Sequence, residues 1–372
     1  MSTGQMPRLR SAGRRPALVL VGLWLALVAG LGGRAAWAAD EVRRLEGHTD
    51  QLTSMALSPD GKLLVTGSDD KTVRLWQFES GKELRALRAS ATFVLSVAIS
   101  ADGRRVLSGS GGEFKNRRFS AGADRSVRLW DVETGKELLK LEGHRQPVWY
   151  VKFLPDGRSA ISVSEGEARV WDLAQGREAR RFGGHCSGQG VALSPDGTLL
   201  VTGSYPENTV QMWEVATGRL IHELVGNRAQ IRGADFSPDR RLLLTGGGNF
   251  VRGGGDASLR IWDVTTGKEL RLMSGATQLV WCVAVSPDGR KALSGGLDGI
   301  VRLWDVNSGK ELHQFKGHRV VSHSPIGERA DVRAVLFTPD GTHAVSAGHD
   351  RTIRVWKLPN KSRDAGELVP GR

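Results

Sequence analysis

Cysteine is nearly missing from this chain: its 372 residues hold two, Cys186 and Cys282. A disulfide-stapled fold is therefore excluded, and both thiols are expected to be unpaired and mostly buried. Long helices are not indicated either. Apolar runs are short, about four to six residues, and are bounded by turns rich in Pro, Asn and Gly, which reads as strands. No concentrated basic stripe is present, so nucleic-acid binding has no footprint. Neither a nucleophile–base pair nor a phosphate-cradling loop stands out. Charged residues at 25% and hydrophobic residues at 40% are ordinary for a folded soluble chain.

The first 38 residues differ from the rest. Arg8, Arg10, Arg14 and Arg15 precede an uncharged run from Pro16 to Gly33, and Ala36-Trp37-Ala38 forms a small-x-small site before Asp40. These are the three parts of a secretory signal peptide cut after Ala38. The run is slightly short of the ~20 residues that span a bilayer; left uncleaved it would act as a membrane anchor. Four arginines before the run and only Arg34 soon after it place the remainder outside the cytoplasm in both cases. Removing residues 1–38 takes five Arg and no acids from the net charge of +12, leaving a mild excess that suits solubility.

What the chain has in plenty is tryptophan. Seven of its eleven copies, Trp76, Trp130, Trp171, Trp213, Trp262, Trp304 and Trp356, recur at intervals of 41 to 54 residues. Each follows a turn of the Ser-Pro-Asp-Gly type at 58–61, 100–103, 154–157, 194–197, 237–240, 286–289 and 338–341. A repeat near 40 residues marks a repeat architecture of four short strands per unit. After Trp356 only Lys357 and Leu358 precede Pro359, so the last unit lacks its fourth strand. Val42–Leu45 is a spare strand at the other end; joining it to the last unit closes the ring and removes two sheet edges.

Gly47-His48, Gly143-His144, Gly184-His185 and Gly317-His318, with Trp130-Asp131, Trp171-Asp172, Trp262-Asp263 and Trp304-Asp305, carry a resemblance over about residues 41–358. The chain resembles the WD-repeat (WD40) β-propeller family, as an exported bacterial-type member. The resemblance implies an all-β, seven-bladed propeller of four-stranded antiparallel blades. Its expected layout is a signal peptide or anchor at 1–38, the propeller at 39–358 and a flexible tail at 359–372.

An acidic residue six before each Trp (Asp70, Asp124, Glu165, Glu207, Asp256, Asp298, Asp350) goes with a hydroxyl on the second strand. These hydroxyls are Thr66, Ser108 or Ser120, Ser162, Thr202, Thr245, Ser294 and Ser346. With the histidines, the set resembles the family's buried hydrogen-bond network, in which the hydroxyl passes the chain on to the Trp N–H. A set repeated around a ring is structural; catalysis would need one special copy. Ser90, Asn227 and Ala276 replace His in three blades, where the network must be incomplete or rebuilt.

In this family three positions per blade look out on the narrow top face. Carried over, they are Phe93, Leu95, Trp149, Arg232, Leu279, Trp281, Leu297 and Arg333, an apolar and arginine-studded rim suited to a protein partner. Strand alternation by itself would bury Trp149 and Trp281. Three insertions, Gly109 to Phe119, Gly246 to Gly254 and Arg319 to Ala330, open on the same face. Phe114, Lys115, Arg117, Arg118 and Phe119 of the first are the most ligand-like. His318, His323 and His349 have no fixed ligand spacing, so no metal or other cofactor is assigned.

The expectation is a non-catalytic interaction scaffold, periplasmic or extracellular, as a monomer or within a larger assembly. It binds a protein or peptide, not nucleic acid, and meets a membrane only through an uncleaved leader. An extracytoplasmic enzyme or a metal- or carbohydrate-binding propeller is the alternative, with Asp331 as its top-face carboxylate.

Overall fold

A computed structural model describes residues 40–115, 118–184, 186–248, 257–276, 278–321 and 330–359. The expected leader, His185, Asp256, His323 and nearly all of the expected tail lie outside the described residues, as do much of the second and third insertions. Among the described residues the regular elements are all strands. They form seven four-stranded antiparallel sheets and one small two-stranded hairpin.

The first blade shows the plan. Leu52–Leu57 lines the centre, Leu63–Ser68 and Thr72–Gln77 follow, and Lys82–Arg88 is outermost. The Ser-Pro-Asp-Gly corner is locked by side chains: Ser58 Oγ donates to Asp60 at 2.6 Å, and the Lys62 N–H donates to the same oxygen at 3.1 Å. Gly61 closes the corner at φ +71°, a conformation that costs a side chain energy. In the fifth copy Arg240 adopts that conformation in glycine's place, at φ +62°.

The seven tryptophans are interblade pegs. Trp76 packs with Val345, Ile353 and Val355 of the last blade, and Trp130 with Val65, Val73 and Leu75 of the first. Each buries an area worth several kcal/mol as an upper bound, roughly 4–6 for ~150–250 Å². Every indole N–H donates to the expected second-strand hydroxyl, at 2.7 to 3.1 Å. In the second blade that acceptor is Ser108, not Ser120, which instead bonds Glu113 within the insertion hairpin.

Histidine completes the network in three described blades. His48 meets Thr66 at 2.8 Å and Asp70 at 2.7 Å; His318 meets Ser346 at 2.7 Å and Asp350 at 2.9 Å. Burial raises the Asp70 carboxyl, but the hydrogen bond and charge of His48, with hydrogen bonds from Thr72 and the Thr49 N–H, together outweigh it and hold the group below the ordinary carboxylate range. In the third blade His144 meets Ser162 at 2.6 Å, yet its acid is Glu167 at 3.0 Å rather than the expected Glu165. The hairpin there is one residue tighter, with Ser164 paired directly to Glu167 across Glu165 and Gly166. Glu165 is thereby carried to the exposed apex. The second blade rebuilds the network with Ser90, which donates to Asp124 at 2.9 Å.

A second repeated device was not anticipated. In five blades the arginine two before the Trp pairs with a glutamate on the outer strand: Arg74–Glu83, Arg128–Glu137, Arg169–Glu178, Arg260–Glu269 and Arg302–Glu311 lie 2.6 to 3.2 Å apart. Gln211 and Leu220 replace both partners together in the fourth blade. In the last blade the glutamate comes from the start of the chain. Glu41–Glu46 is the outer strand there, with Leu45 opposite Ile353, and Arg354 meets Glu41 at 2.5 Å. Closure by the N-terminal strand is therefore observed as expected.

Both cysteines are free, with Cys186 buried and Cys282 partly so. Burial pushes the Cys186 thiol up to about 11, away from reactivity.

Candidate functional site: the top cavity

The innermost strands do not keep strict alternation. In six blades the register against the second strand slips by one residue, the signature of a β-bulge. The slips fall between Leu52 and Ser54, Val94 and Ser96, Val148 and Tyr150, Ile231 and Gly233, Val280 and Cys282, and Val332 and Ala334. The residues set aside are Thr53, Leu95, Trp149, Arg232, Trp281 and Arg333. All six line one cavity of about 610 Å³ on the axis of the ring. Gln189, five residues before its Ser-Pro-Asp-Gly corner like the others, occupies the corresponding place in the fourth blade and lines it too.

The bulge reverses the orientation that strict alternation gives. The residue before it, such as Val148 or Val280, turns into the interblade core and is essentially inaccessible. There it lies where a Cβ on Gly109 or Gly246 of the preceding blade would clash, at 2.8 Å in both cases. The residue after that one is freed from pairing and faces the axis. Trp149 and Trp281 are consequently half-buried rather than buried. The same girdle also lines the mouth of a channel of about 740 Å³ that continues below it.

The cavity has two unlike sides. On one, Phe93, Phe114, Phe119 and Trp149 run in edge and stacked contact. Successive ring centroids are 5.6, 6.0 and 5.5 Å apart, and the last pair is nearly parallel at 27°. Phe114 and Phe119 come from the hairpin Glu113–Lys115 and Arg118–Ser120, which the first insertion forms. On the other, the guanidinium carbons of Arg333 and Arg232 stand 3.9 and 5.0 Å from the centroid of the Trp281 ring. Arg232 also donates to Gln189, and Asp331, fully buried, lies 3.6 Å from Arg333. Burial, then the charge of Arg333, lowers the Arg232 guanidinium to about 10. Asp69 sits deep in the wall and accepts from Gln51; burial pushes its carboxyl up to about 7.

Six of the eight expected top-face residues therefore share the cavity: Phe93, Leu95, Trp149, Arg232, Trp281 and Arg333. Leu279 does not, a correction to the expected rim. It is 1% exposed, pinned where the backbones of Gly248 and Gly296 close over it. Phe93 holds the same register position but its longer ring reaches the cavity. Leu297 is half-buried and lies outside the lining. Gln51, Asp69 and Gln189 were missed, although all three were readable: Gln189 and Gln51 by counting back from their corners, and Asp69 as the residue before the acidic Asp70. Among the described residues no cluster of His, Cys, Asp and Glu could hold a metal. His318 is the network histidine of its blade.

With ring, pegs and cavity defined, comparison with known proteins is decisive for the family. The model of the WD domain, G-beta repeat, matches seven segments, 39–77, 81–131, 135–172, 176–214, 218–263, 267–305 and 309–357. The chain belongs to the WD40 repeat family. Among its relatives, Nuclear distribution protein PAC1 of Arthroderma otae is 26% identical over 332 residues, covering 86% of this WD40 chain and 61% of its own length. Nuclear distribution protein nudF of Aspergillus niger is 25% identical over 86% of the chain and 61% of its own length. Protein tipD of Dictyostelium discoideum is 27% identical over 69% of the chain and 40% of its own length. The WD40 chain thus spans about three fifths or less of these proteins. They are eukaryotic and lend no support to a bacterial-type assignment.

Proposed function

We propose that this WD40 propeller is a non-catalytic scaffold that binds a protein or peptide partner through its top cavity. The observation that carries the reading is the girdle of bulges, which takes one side chain from each of six blades out of sheet pairing and points it at a common space. Those side chains include two tryptophans and two arginines, residue types that dominate binding energy at interfaces. The side chains stand on paired strands of the sheets, which limits the ordering that a partner must impose.

The leader-like segment 1–38 supports export to the periplasm or beyond, or retention at a membrane facing outward. Intact-mass measurement of the purified native protein checks it: a chain starting at Ala39, or a full chain in the membrane fraction, is expected. A full-length soluble protein in the cytoplasmic fraction overturns it.

The binding role is tested by crosslinking in native extracts with Trp149→Ala and Trp281→Ala. Both variants should fold, and each should weaken capture of the crosslinked partner by ~2 kcal/mol or more. Undiminished capture by both sinks the proposal.

A further inference from the structure

Building on that reading, we infer that the cavity recognises an acidic–apolar peptide segment, with an aromatic or aliphatic side chain against Phe119 and Trp149 and a carboxylate against Arg232 and Arg333. The chemistry follows from the unequal sides of the girdle. Blades two and three, with the insertion hairpin, contribute Phe93, Leu95, Phe114, Phe119 and Trp149, and no charge to the lining. Blades five to seven contribute Arg232, Trp281 and Arg333.

Two guanidiniums held 3.9 and 5.0 Å from one indole centroid repel each other, and the Arg333 charge adds to burial in lowering Arg232. Asp331 balances one of them from behind Arg333. The charged groups lining the cavity are then Arg232, Arg333 and Asp69, and burial pushes the Asp69 carboxyl up, which favours its neutral form. The lining is net positive and partly dry, the condition under which a guanidinium–carboxylate contact is strong and directional. A basic ligand would add a third like charge; a wholly apolar one would cover the arginines without offering a counter-charge. An anion without an apolar neighbour would leave the aromatic side wet. A peptide carrying both groups answers each side at once.

The probe is a display library of short randomised peptides with blocked ends, selected on the full propeller. Enrichment of Asp or Glu next to Phe, Leu or Trp is expected. Arg232→Gln and Arg333→Gln should each lower affinity for an enriched peptide roughly tenfold or more, about one charge-assisted hydrogen bond. Arg333→Lys should recover part of that loss, and Phe119→Ala should weaken binding without changing the acidic preference. Circular dichroism confirms that each variant is folded. Enriched peptides that are basic or uncharged overturn the inference. If such peptides are still lost on Trp149→Ala, the binding role of the cavity stands without it. Acidic peptides indifferent to both arginine changes also overturn it, because they bind elsewhere. A library that enriches nothing overturns it as well, while the crosslinking experiment separately decides the broader role.

Discussion

Removing the Glu41 carboxylate should destabilise the ring far more than removing its counterpart in the first blade. Glu41 holds two cations: Arg44 of its own strand at 2.7 Å and Arg354 of the neighbouring strand at 2.5 Å. The side chains of Glu41 and Arg354 are 0% and 2% exposed, whereas those of Glu83 and Arg74 are 33% and 15% exposed. Breaking a buried pair strands a desolvated charge and costs about 3–5 kcal/mol; an accessible pair is worth about 0–1 kcal/mol. Asp350, 3.1 Å from Arg354, absorbs part of the loss, so the lower end, about 3 kcal/mol, is the expectation for Glu41→Ala. With an m-value of roughly 3 kcal/mol per molar urea, the unfolding midpoint falls by about 1 M, against about 0.3 M or less for Glu83→Ala. Replacing both members, Glu41→Met with Arg354→Met, should recover much of the stability lost by Glu41→Met alone. Equal midpoint shifts for Glu41→Ala and Glu83→Ala would refute the reasoning.

Two further outcomes concern the core. Ser108→Ala takes the only described acceptor from a buried Trp130 N–H and should cost about 1–3 kcal/mol in thermal or urea unfolding, while Ser120→Ala should change stability by less than about 0.5 kcal/mol; a larger effect at 120 reverses the assignment. Asp69 has a folded pKa raised from 3.8 to about 7 by burial, with Asp50, Asp70 and Arg333 as the neighbouring charges. The folded state therefore binds more protons between about pH 4 and pH 7, and this group's contribution to stability falls as pH rises through that window. Relative to wild type, Asp69→Asn should gain about 2–3 kcal/mol between about pH 5 and pH 8; parallel stability curves for the two proteins exclude the effect.

The architecture was legible because its cause is periodic. Seven indoles at near-regular spacing, one type of corner and one unmatched strand at each end require the ring and its closure without reference to any contact. The hydroxyl acceptors followed for the same reason, apart from the choice between Ser108 and Ser120, which two candidates in one long blade left open. Glu165 misled because a hairpin shortened by one residue preserves the spacing from the Trp while changing which side chain faces inward. The Arg–Glu pairs were periodic as well, two before and seven after five of the seven Trp, and were overlooked because charge on a strand reads first as solvent exposure. The top cavity was only partly visible. A bulge alters side-chain direction without changing residue type, so Trp149 and Leu279 look equally apolar in sequence yet face opposite ways. Gln51 and Asp69 stand at repeated positions, two before Thr53 as Phe93 is before Leu95, and one before the acidic Asp70 as Leu297 is before Asp298; they were passed over because their polarity does not read as an apolar rim.

Sharing one sheet between the two termini also orders events during synthesis. Glu41–Glu46 leaves the ribosome before any other strand of the ring, and Thr352–Lys357, the strand it must join, leaves last. Until that strand is made Glu41–Glu46 has no partner, and Trp76 lacks the Val345, Ile353 and Val355 side of its socket. A chain that ends before Thr352–Lys357 has no partner for Glu41–Glu46, so truncation there costs the closure and not merely one blade.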